Sequence, residues 1–340
     1  MALPVKPPIS PMLSKVADEI PRGKGWLYEP KWDGFRALIF KEGDHIEIAS
    51  RDARDLVRYF PELPPLLLGC LPASCVIDGE IVVAGPSGLD FEALLLRIHP
   101  AASRVAKLSH EIPASFVIFD LLALGDRDLR DSPFVERRRQ LEADFTVQKP
   151  SQETGSQVFL TPQTADPDEA AIWFKGFEDL GLDGIVAKRA DLRYVPGERV
   201  MVKIKHLRTA DCVVGGYRLS KGGDGVGSLL LGLYNDTGVL HYVGHTSSFT
   251  AKERRELLEE LRPLEGGQSF GEGRTPGGPS RWSGGRETEW VALAPVLVCE
   301  VSFDHLQGAR FRHAARLLRW RQDKPPEECT FEQLSLPPQR

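Results

Sequence analysis

The sequence predicts an α+β protein of two domains, in which antiparallel sheets flanked by helices are followed by a small β-barrel. The chain has 340 residues, which is more than one domain usually contains. Strand-like stretches alternate with helices that carry capping signals up to about residue 207. Beyond that point the pattern predicts five short strands with glycine-rich turns and one helix, which a closed barrel of the OB-fold type needs.

The composition is that of an ordinary globular protein. Hydrophobic residues make up 41% and charged residues 27% of the chain. No apolar run reaches membrane-spanning length and the N-terminus lacks a signal-peptide pattern, so we expect a cytoplasmic protein with no membrane partner. The five cysteines are scattered without a C-x-x-C pair, which disfavours a disulfide framework and a structural zinc site. The net charge of -5 leaves nucleic-acid binding open, because affinity for phosphates depends on local basic clusters.

Residues 1–207 are predicted to form the first domain. Their first 24 residues are rich in proline and basic residues, so they are expected to be extended. Helices at 132–142 and 166–180 begin with capping signals, a serine followed by proline in one and acidic residues in the other. Strands are predicted at 36–41, 45–49, 75–83, 115–122, 185–187 and 200–205, with a further helix at 89–98.

Residues 208–340 are predicted to form the barrel domain. Its helix, 250–261, begins with a capping box of Thr250 and Glu253. The segment 263–286 is dense in Gly, Pro and Ser, which predicts a mobile insertion. Strands are predicted at 211–219, 226–234, 239–244, 295–302 and 310–321.

Lys31 is the candidate nucleophile around which the chain is organised. It lies between Glu29 and Asp33-Gly34, immediately before a predicted hairpin, which places it at the mouth of a sheet. Asp78-Gly79-Glu80 interrupts an apolar strand, and buried acids are costly unless they meet a cation or a donor. Lys203 and Lys205 share one face of a strand and repel each other unless an anion lies between them, although a solvated edge is an equally ordinary explanation.

Seven short motifs occur in a fixed order along the chain. Together they resemble the ordered motifs of the covalent nucleotidyltransferases, most closely those of a small two-domain bacterial ATP-dependent DNA ligase of the C type. They are also similar to the ligase domain of D-type end-joining ligases. The resemblance implies an adenylation domain followed by an OB-fold domain. The motifs are Lys31-Trp32-Asp33-Gly34, Ser50-Arg51, Asp78-Gly79-Glu80, Phe119-Asp120, Asp183-Gly184-Ile185-Val186-Ala187-Lys188, Lys203-Ile204-Lys205 and Arg321-Gln322-Asp323-Lys324.

The resemblance also implies a role for each motif residue. Lys31 accepts AMP from ATP, Glu29 reads the adenine amino group, and Phe119 stacks on adenine. Residues 321–324 swing over the nucleotide to orient the leaving pyrophosphate. Mg²⁺ or Mn²⁺ is assigned to Glu80 and to Asp183, which stands where the family more often has glutamate. Catalytic roles fall to Lys31, Asp33, Lys203, Lys205, Arg321 and Asp323. Nucleotide contacts fall to Glu29, Lys31, Arg36, Arg51, Glu80, Phe119, Val186, Lys188, Lys203 and Lys205.

The implied chemistry needs a neutral lysine and no histidine base. Cations near Lys31, from a metal and from Arg36, Lys203 and Lys205, disfavour its protonated form and stabilise charge on the α-phosphate. Phosphoryl transfer asks mainly for positioning and charge neutralisation. Because the barrel has to leave the nucleotide before the duplex binds, we expect a hinge near Leu207-Arg208.

Nicked duplex DNA is the expected partner, held mainly by backbone contacts because a sealing enzyme accepts any sequence. Three alternatives stay open: an RNA ligase, a GTP-using capping enzyme and a non-catalytic nucleic-acid-binding module. The resemblance further implies a nucleoid-associated monomer that acts in DNA repair, alongside a primase-polymerase partner. The candidate DNA-binding residues are Arg51, Arg310, Arg312, Arg316 and Arg319.

Overall fold

The computed structural model describes residues 3–86, 88–145, 155–176, 180–267, 269–271, 276 and 289–335. The chain divides between His206 and Leu207 into two compact units. Within the described ranges, no helix has the length and apolar character needed to cross a membrane. Most of the predicted mobile insertion, 263–286, lies outside the described residues.

The N-terminal unit contains two sheets with helices on the outside. Its helices are α1 (Leu63–Cys70), α2 (Phe91–Leu96), α3 (Ala102–Glu111), α4 (Phe134–Asp144) and α5 (Pro167–Gly176). Its strands are β1 (Leu13–Val16), β2 (Trp26–Pro30), β3 (Phe35–Glu42), β4 (His45–Ser50), β5 (Ser74–Gly85), β6 (Gly88–Leu89), β7 (Ala114–Leu124), β8 (Arg127–Asp128), β9 (Val158–Leu160), β10 (Gly184–Arg189) and β11 (Arg199–Lys205).

The two sheets pack against each other because β3, β5 and β7 are apolar on both faces. One sheet has the strand order β1-β11-β10-β2, and the other has the order β4-β3-β5-β7-β8 with β6 on β5 and β9 on β7. Along β3, Ala37 and Ile39 join a core with α1, whereas Leu38 and Phe40 join a core with Met201 of the first sheet. This alternation is the two-residue period of a strand, and it places the two sheets face to face.

Among its described residues, the C-terminal unit has one α-helix and a curled, six-stranded barrel sheet, in which β15 pairs with β12 beside a path of five strands. The order β14-β13-β12-β16-β19 is closed where the Ala315 amide donates a 2.9 Å hydrogen bond to the His245 carbonyl. The elements are β12 (Arg208–Leu219), β13 (Val226–Tyr234), β14 (Leu240–Thr246), α6 (Ala251–Leu261), β15 (Val291–Ala292), β16 (Val298–Phe303), β17 (Leu306–Gln307), β18 (Arg310–Phe311) and β19 (Arg316–Trp320).

The predicted α+β class is confirmed, as are the hairpin of β3 and β4 and the capping box of α6. Two local predictions are wrong. The strand expected at 310–321 is divided into β18 and β19, because the chain turns to bring Ala315 against β14. Ser132 does not cap α4: Pro133 occupies the N-cap position, so Ser132 lies one residue too early for its side chain to reach the first turn.

Candidate active site

A cleft of about 270 Å³ lies in the N-terminal unit. Of the residues predicted to contact a nucleotide, only Lys205 is absent from its lining, and it lies beside the cleft in an ion pair with Asp183. The cleft therefore gathers side chains that are widely separated along the chain. Those among the predicted residues that line it are Glu29, Lys31, Arg36, Arg51, Glu80, Phe119, Val186, Lys188 and Lys203.

The strand register explains one wall of the cleft. Glu29, Val186 and Lys203 are opposite one another on β2, β10 and β11, so they form one row across the sheet and share a face. Lys188 and Lys205 lie two residues further along their own strands and share that face. The row therefore has Glu29 at one end and Lys203 at the other.

The opposite wall comes from β3 and β5. Arg36 and Glu80 are paired directly across these strands. Gly34 allows β3 to begin there, because a Cβ atom at this position would lie 2.1 Å from the Ile81 carbonyl oxygen. The loop of residues 31–34 thus connects the two sheets: it leaves the first sheet at Lys31 and enters the second sheet at a position two residues before Arg36.

Lys31 is held at the junction of the two walls by its backbone and by its ammonium group. Its amide donates to the Gly184 carbonyl and its carbonyl accepts from the Asp183 amide, both at 2.8 Å. Gly184 is required here, with a φ of +126° and no space for a Cβ beside the Ile204 carbonyl. The Lys31 ammonium pairs with Asp183, which also lies 3.2 Å from the Nζ of Lys205. One buried carboxylate therefore compensates two lysines, and attack by Lys31 requires its contact with Asp183 to break.

Arg36 is fixed by a buried network that the sequence did not reveal. Its guanidinium donates two 2.6 Å hydrogen bonds to Asp78, and Asp78 accepts a third from the Tyr194 hydroxyl, also at 2.6 Å. Asp78 is completely buried, and the guanidinium lies 4.3 Å from the centroid of the Phe119 ring. Asp78 thus positions Arg36 against the aromatic side chain predicted to contact adenine.

Glu29 is buried among donors. One carboxylate oxygen accepts from Lys188 at 2.8 Å, and the other accepts from Gln163 at 2.9 Å. The Lys188 ammonium also lies 5.1 Å from the centroid of the Phe119 ring. The acid and the lysine at this end of the cleft are therefore preorganised as a pair.

Glu80 places a partly buried carboxylate in the cleft. Burial raises its pKa to about 7, with Asp33 and Asp78 adding to the rise and Arg36 and Lys31 opposing it. Among the described residues, no hydrogen bond or ion pair to its carboxylate is found, and no group of three metal-binding side chains is present. Mg²⁺ is commonly held by one or two carboxylates together with substrate phosphates, so Glu80 fits such an ion. Asp183 is engaged by two lysines instead, and its role as a ligand stays a prediction.

In the C-terminal unit, the predicted closing residues form an ion network around Asp211. Arg321 donates to both oxygens of Asp211 at 2.9 Å and to both oxygens of Asp323 at 2.9 Å, while Lys324 reaches Asp211 at 2.9 Å. The hydrogen bonds from Arg321 lower the pKa of Asp323 to about 2. Arg321 and Lys324 are thus held by the same carboxylate, that of Asp211.

The candidate DNA-binding arginines have different surroundings. Arg51 is exposed at the cleft, with Asp52 at 3.6 Å. Arg310 lies 4.5 Å from the centroid of the Tyr242 ring. Arg316 and Arg319 are both exposed on β19, but Arg319 pairs with Glu300 at 2.6 Å. The predicted basic surface is therefore partly neutralised, and Arg312 lies between β18 and β19 rather than on a continuous strand.

Four side chains that hold the predicted residues in place carried no role in the sequence analysis. The sequence does single out Asp78, because this acid interrupts an apolar strand, but only Glu80 was assigned a function there. It also singles out Asp211, as an acid at the start of a buried strand. It does not single out Gln163 and Tyr194, because each lies outside a periodic segment and meets its partner only through the tertiary fold.

Comparison with known proteins identifies the family. Residues 11–205 match the family described as "ATP dependent DNA ligase domain", and residues 222–324 match "ATP dependent DNA ligase C terminal region". The chain is 50% identical to DNA ligase C1 of Mycolicibacterium smegmatis, over 99% of this chain and 97% of the relative.

Two further similarities are more distant. The chain is 32% identical to the multifunctional non-homologous end joining DNA repair protein LigD of Mycobacterium tuberculosis, over 90% of this chain and 37% of the relative. A solved structure of a Lig E DNA ligase superposes with a TM-score of 0.53 at 19% identity, over 92% of this chain and all of that chain, and shows the shared fold. The non-catalytic, RNA-ligase and capping alternatives are not supported by these matches. The chain belongs to the bacterial ATP-dependent DNA ligases of the C type.

Proposed function

We propose that this ATP-dependent DNA ligase seals nicks in duplex DNA through a lysine-AMP intermediate on Lys31. The position of Lys31 carries the proposal: it lines the same cleft as Glu29, Phe119 and Lys203, at the point where the two sheets meet. A nucleotide in this cleft has its base near Glu29 and its phosphates near Lys203, because these two residues lie at opposite ends of one row. Lys31 lies just outside the regular strands, and its backbone hydrogen bonds hold it at this position.

The reaction has three steps. Lys31 Nζ attacks the α-phosphate of ATP, the bond to pyrophosphate breaks, and the amine proton is lost to solvent. The AMP group then passes to the 5′-phosphate at a nick, which restores the free lysine. Finally the 3′-hydroxyl attacks the activated phosphate, AMP leaves and the strand is sealed.

The cleft supplies positive charge where the first step develops negative charge. Lys203 and Lys205 flank the α-phosphate, and for Lys205 that phosphate takes the place of Asp183 as the anionic partner. Burial lowers the pKa of Lys203, and the nearby Lys205 and Lys31 lower it further, so an anion between them relieves an unfavourable charge. Mg²⁺ or Mn²⁺ held by Glu80 supplies further charge neutralisation to the phosphates.

Base recognition falls to the other end of the cleft. Glu29 has acceptor capacity beyond its bonds to Lys188 and Gln163, and it accepts a hydrogen bond from the adenine amino group. Guanine presents a carbonyl oxygen at the corresponding position, which a carboxylate repels. Phe119 and Val186 contact the faces of the base.

Arg321 and Asp323 act in the same step at the leaving pyrophosphate. Arg321 already donates its hydrogen bonds to Asp211 and Asp323. To bind a phosphate, it has to release at least one of these two carboxylates. Asp33 acts beside Lys31 in the same step.

The DNA contacts are to the backbone, through Arg51 at the cleft and through Arg310, Arg312, Arg316 and Arg319. Support for a repair role comes from the relative whose name specifies non-homologous end joining DNA repair. We extend the proposal to a monomer that is nucleoid-associated in the cytoplasm and works with a primase-polymerase partner.

Mass spectrometry of the intact protein tests the first step. After incubation with ATP and Mg²⁺, the wild type gains one AMP and Lys31→Ala gains none. Lys24→Ala, which changes an exposed lysine a few residues away, is the matched control and gains AMP normally. Equal labelling of Lys31→Ala refutes Lys31 as the nucleophile.

A further inference from the structure

Two side chains behind the cleft hold Glu29 in place, and neither lines the cleft itself. Gln163 donates its 2.9 Å hydrogen bond to one carboxylate oxygen, and Nη1 of Arg138 lies 4.0 Å from the same oxygen. Arg138 is 7% exposed, so its charge is almost fully enclosed by the fold. The acid that reads the base is therefore supported from behind by a cation and an amide.

Arg138 is fixed on its other two sides. Its Nε donates to Glu142 at 2.6 Å and its Nη2 donates to the Thr161 carbonyl at 2.9 Å, whereas its buried Nη1 has no hydrogen-bond partner among the described residues. A buried guanidinium donor without an acceptor is unfavourable. The acceptor that Nη1 faces is the Glu29 carboxylate. If this carboxylate moves slightly away from Gln163, it can accept a hydrogen bond from Arg138.

The segment of residues 161–164 connects this support to the nucleophile loop. Thr164 exchanges two backbone hydrogen bonds with Tyr28, next to Glu29, and the Thr161 hydroxyl accepts from the indole of Trp32, next to Lys31. The same segment provides Gln163 and the carbonyl that holds Arg138. Base recognition and nucleophile placement therefore share one scaffold.

We infer that Arg138 and Gln163 are positioning residues for nucleotide specificity, which fix the Glu29 carboxylate so that the ligase selects adenine over guanine. This inference rests on the proposed role of Glu29. A carboxylate held at one point accepts from the adenine amino group and repels the guanine carbonyl. Once released, it rotates away from the base edge, pairs fully with Lys188 and no longer distinguishes the two purines.

The test compares adduct formation from ATP and from GTP by the full chain. Gln163→Ala is expected to raise the KM for ATP about tenfold and to reduce the preference for ATP over GTP about tenfold, the effect of losing one hydrogen bond to a charged group. Arg138→Gln, which removes an enclosed charge 4.0 Å from the same carboxylate oxygen, should change both quantities in the same direction. Arg138→Lys keeps the charge and should restore part of the preference. Single-turnover sealing by enzyme that already carries AMP should be unchanged, because no base selection remains.

Two controls separate this role from general stability. Arg139→Gln changes the next, exposed residue of α4, and Gln140→Ala removes an amide that, within the described ranges, bonds to Asp144 of the same helix. Both should keep the wild-type preference. Gln163 is half-buried, so Gln163→Ala keeps the test decisive if Arg138→Gln lowers stability.

An unchanged preference for ATP in folded Gln163→Ala overturns the inference. If the wild type itself forms no AMP adduct, the proposed function fails instead, and the two failures are distinguishable in one experiment. A loss of sealing by enzyme already charged with AMP would also contradict the inference, since it indicates a general structural role.

Discussion

Replacing Asp78 with asparagine removes the carboxylate that fixes Arg36 in the cleft. Asp78 is 0% exposed and accepts three hydrogen bonds of 2.6 Å, two from Arg36 and one from Tyr194. Asparagine keeps the size of the side chain but leaves the guanidinium without its counter-charge. Removing one partner of a buried ion pair costs about 3–5 kcal/mol. Because the Arg36 side chain is 23% exposed, we expect the lower end, about 3 kcal/mol of the free energy of unfolding.

Urea unfolding measures this loss, and an exposed ion pair offers the control. Asp128→Asn removes the partner of Arg130, a pair with the same 2.6 Å contact but with side chains 37% and 34% exposed. Surface pairs contribute at most about 1 kcal/mol, so this variant should unfold almost as the wild type does. Tyr194→Phe, which removes a neutral donor to the Asp78 carboxylate and the acceptor of the Met12 amide, should cost about 2 kcal/mol.

Asp78→Asn should also form less of the AMP adduct, because Arg36 is no longer held against Phe119. We expect at least a tenfold lower rate of AMP transfer from ATP in the variant that remains folded, which corresponds to about 1.4 kcal/mol of lost stabilisation. If Asp78→Asn unfolds at the same urea concentration as Asp128→Asn, the network does not hold Arg36 and this reasoning is refuted.

Three further predictions concern single charges. Burial raises the pKa of Glu80 to about 7, so in metal-free protein the folded state keeps this proton to a higher pH than the unfolded chain does. The free energy of unfolding should therefore fall by up to about 3 kcal/mol as pH rises from about 4.5 to about 7. Urea midpoints in EDTA should show no such decline for Glu80→Gln, and an identical decline in that variant would contradict the assignment. Lys203→Ala should slow AMP transfer from ATP about 100-fold in rapid-quench assays without lowering the free energy of unfolding, since burial lowers the pKa of this lysine and makes its charge unfavourable in the fold; a wild-type rate would exclude a phosphate contact. Arg316→Ala should reduce the salt dependence of nick binding by about one phosphate contact, whereas Arg319→Ala should change it less because Glu300 already compensates that charge; equal effects in a fluorescence titration would argue against this difference.

Local patterns predicted much of the fold. The hairpin of β3 and β4 follows from its glycine-containing turn, and α6 follows from Thr250 and Glu253, because these signals act between neighbouring residues. The strand predicted over 310–321 failed for the opposite reason. Its apolar and basic residues contain no turn signal and favour one strand, but the contact between Ala315 and His245 that closes the barrel is not encoded locally.

The side chains of the candidate site were predictable as types, but their partners were not. Strand alternation placed Lys203 and Lys205 on one face, and the structure has them there. That Asp183 pairs with Lys31 depends on the register between strands distant in sequence, and no local pattern reports it. The compensation of Arg319 by Glu300 arises in the same way, so the sequence overstated the charge of that surface.

Transfer of labelled AMP from the enzyme to DNA shows whether sealing proceeds through a covalent lysine-AMP on Lys31. The ligase is charged with radiolabelled ATP, freed of nucleotide and mixed with nicked duplex, and the label is followed on Lys31, on the 5′-phosphate and as free AMP. Label is expected to leave Lys31 at the rate at which DNA-adenylate forms, and each sealed strand is expected to release one AMP. Sealing that proceeds while the label stays on the protein would contradict a lysine-AMP intermediate.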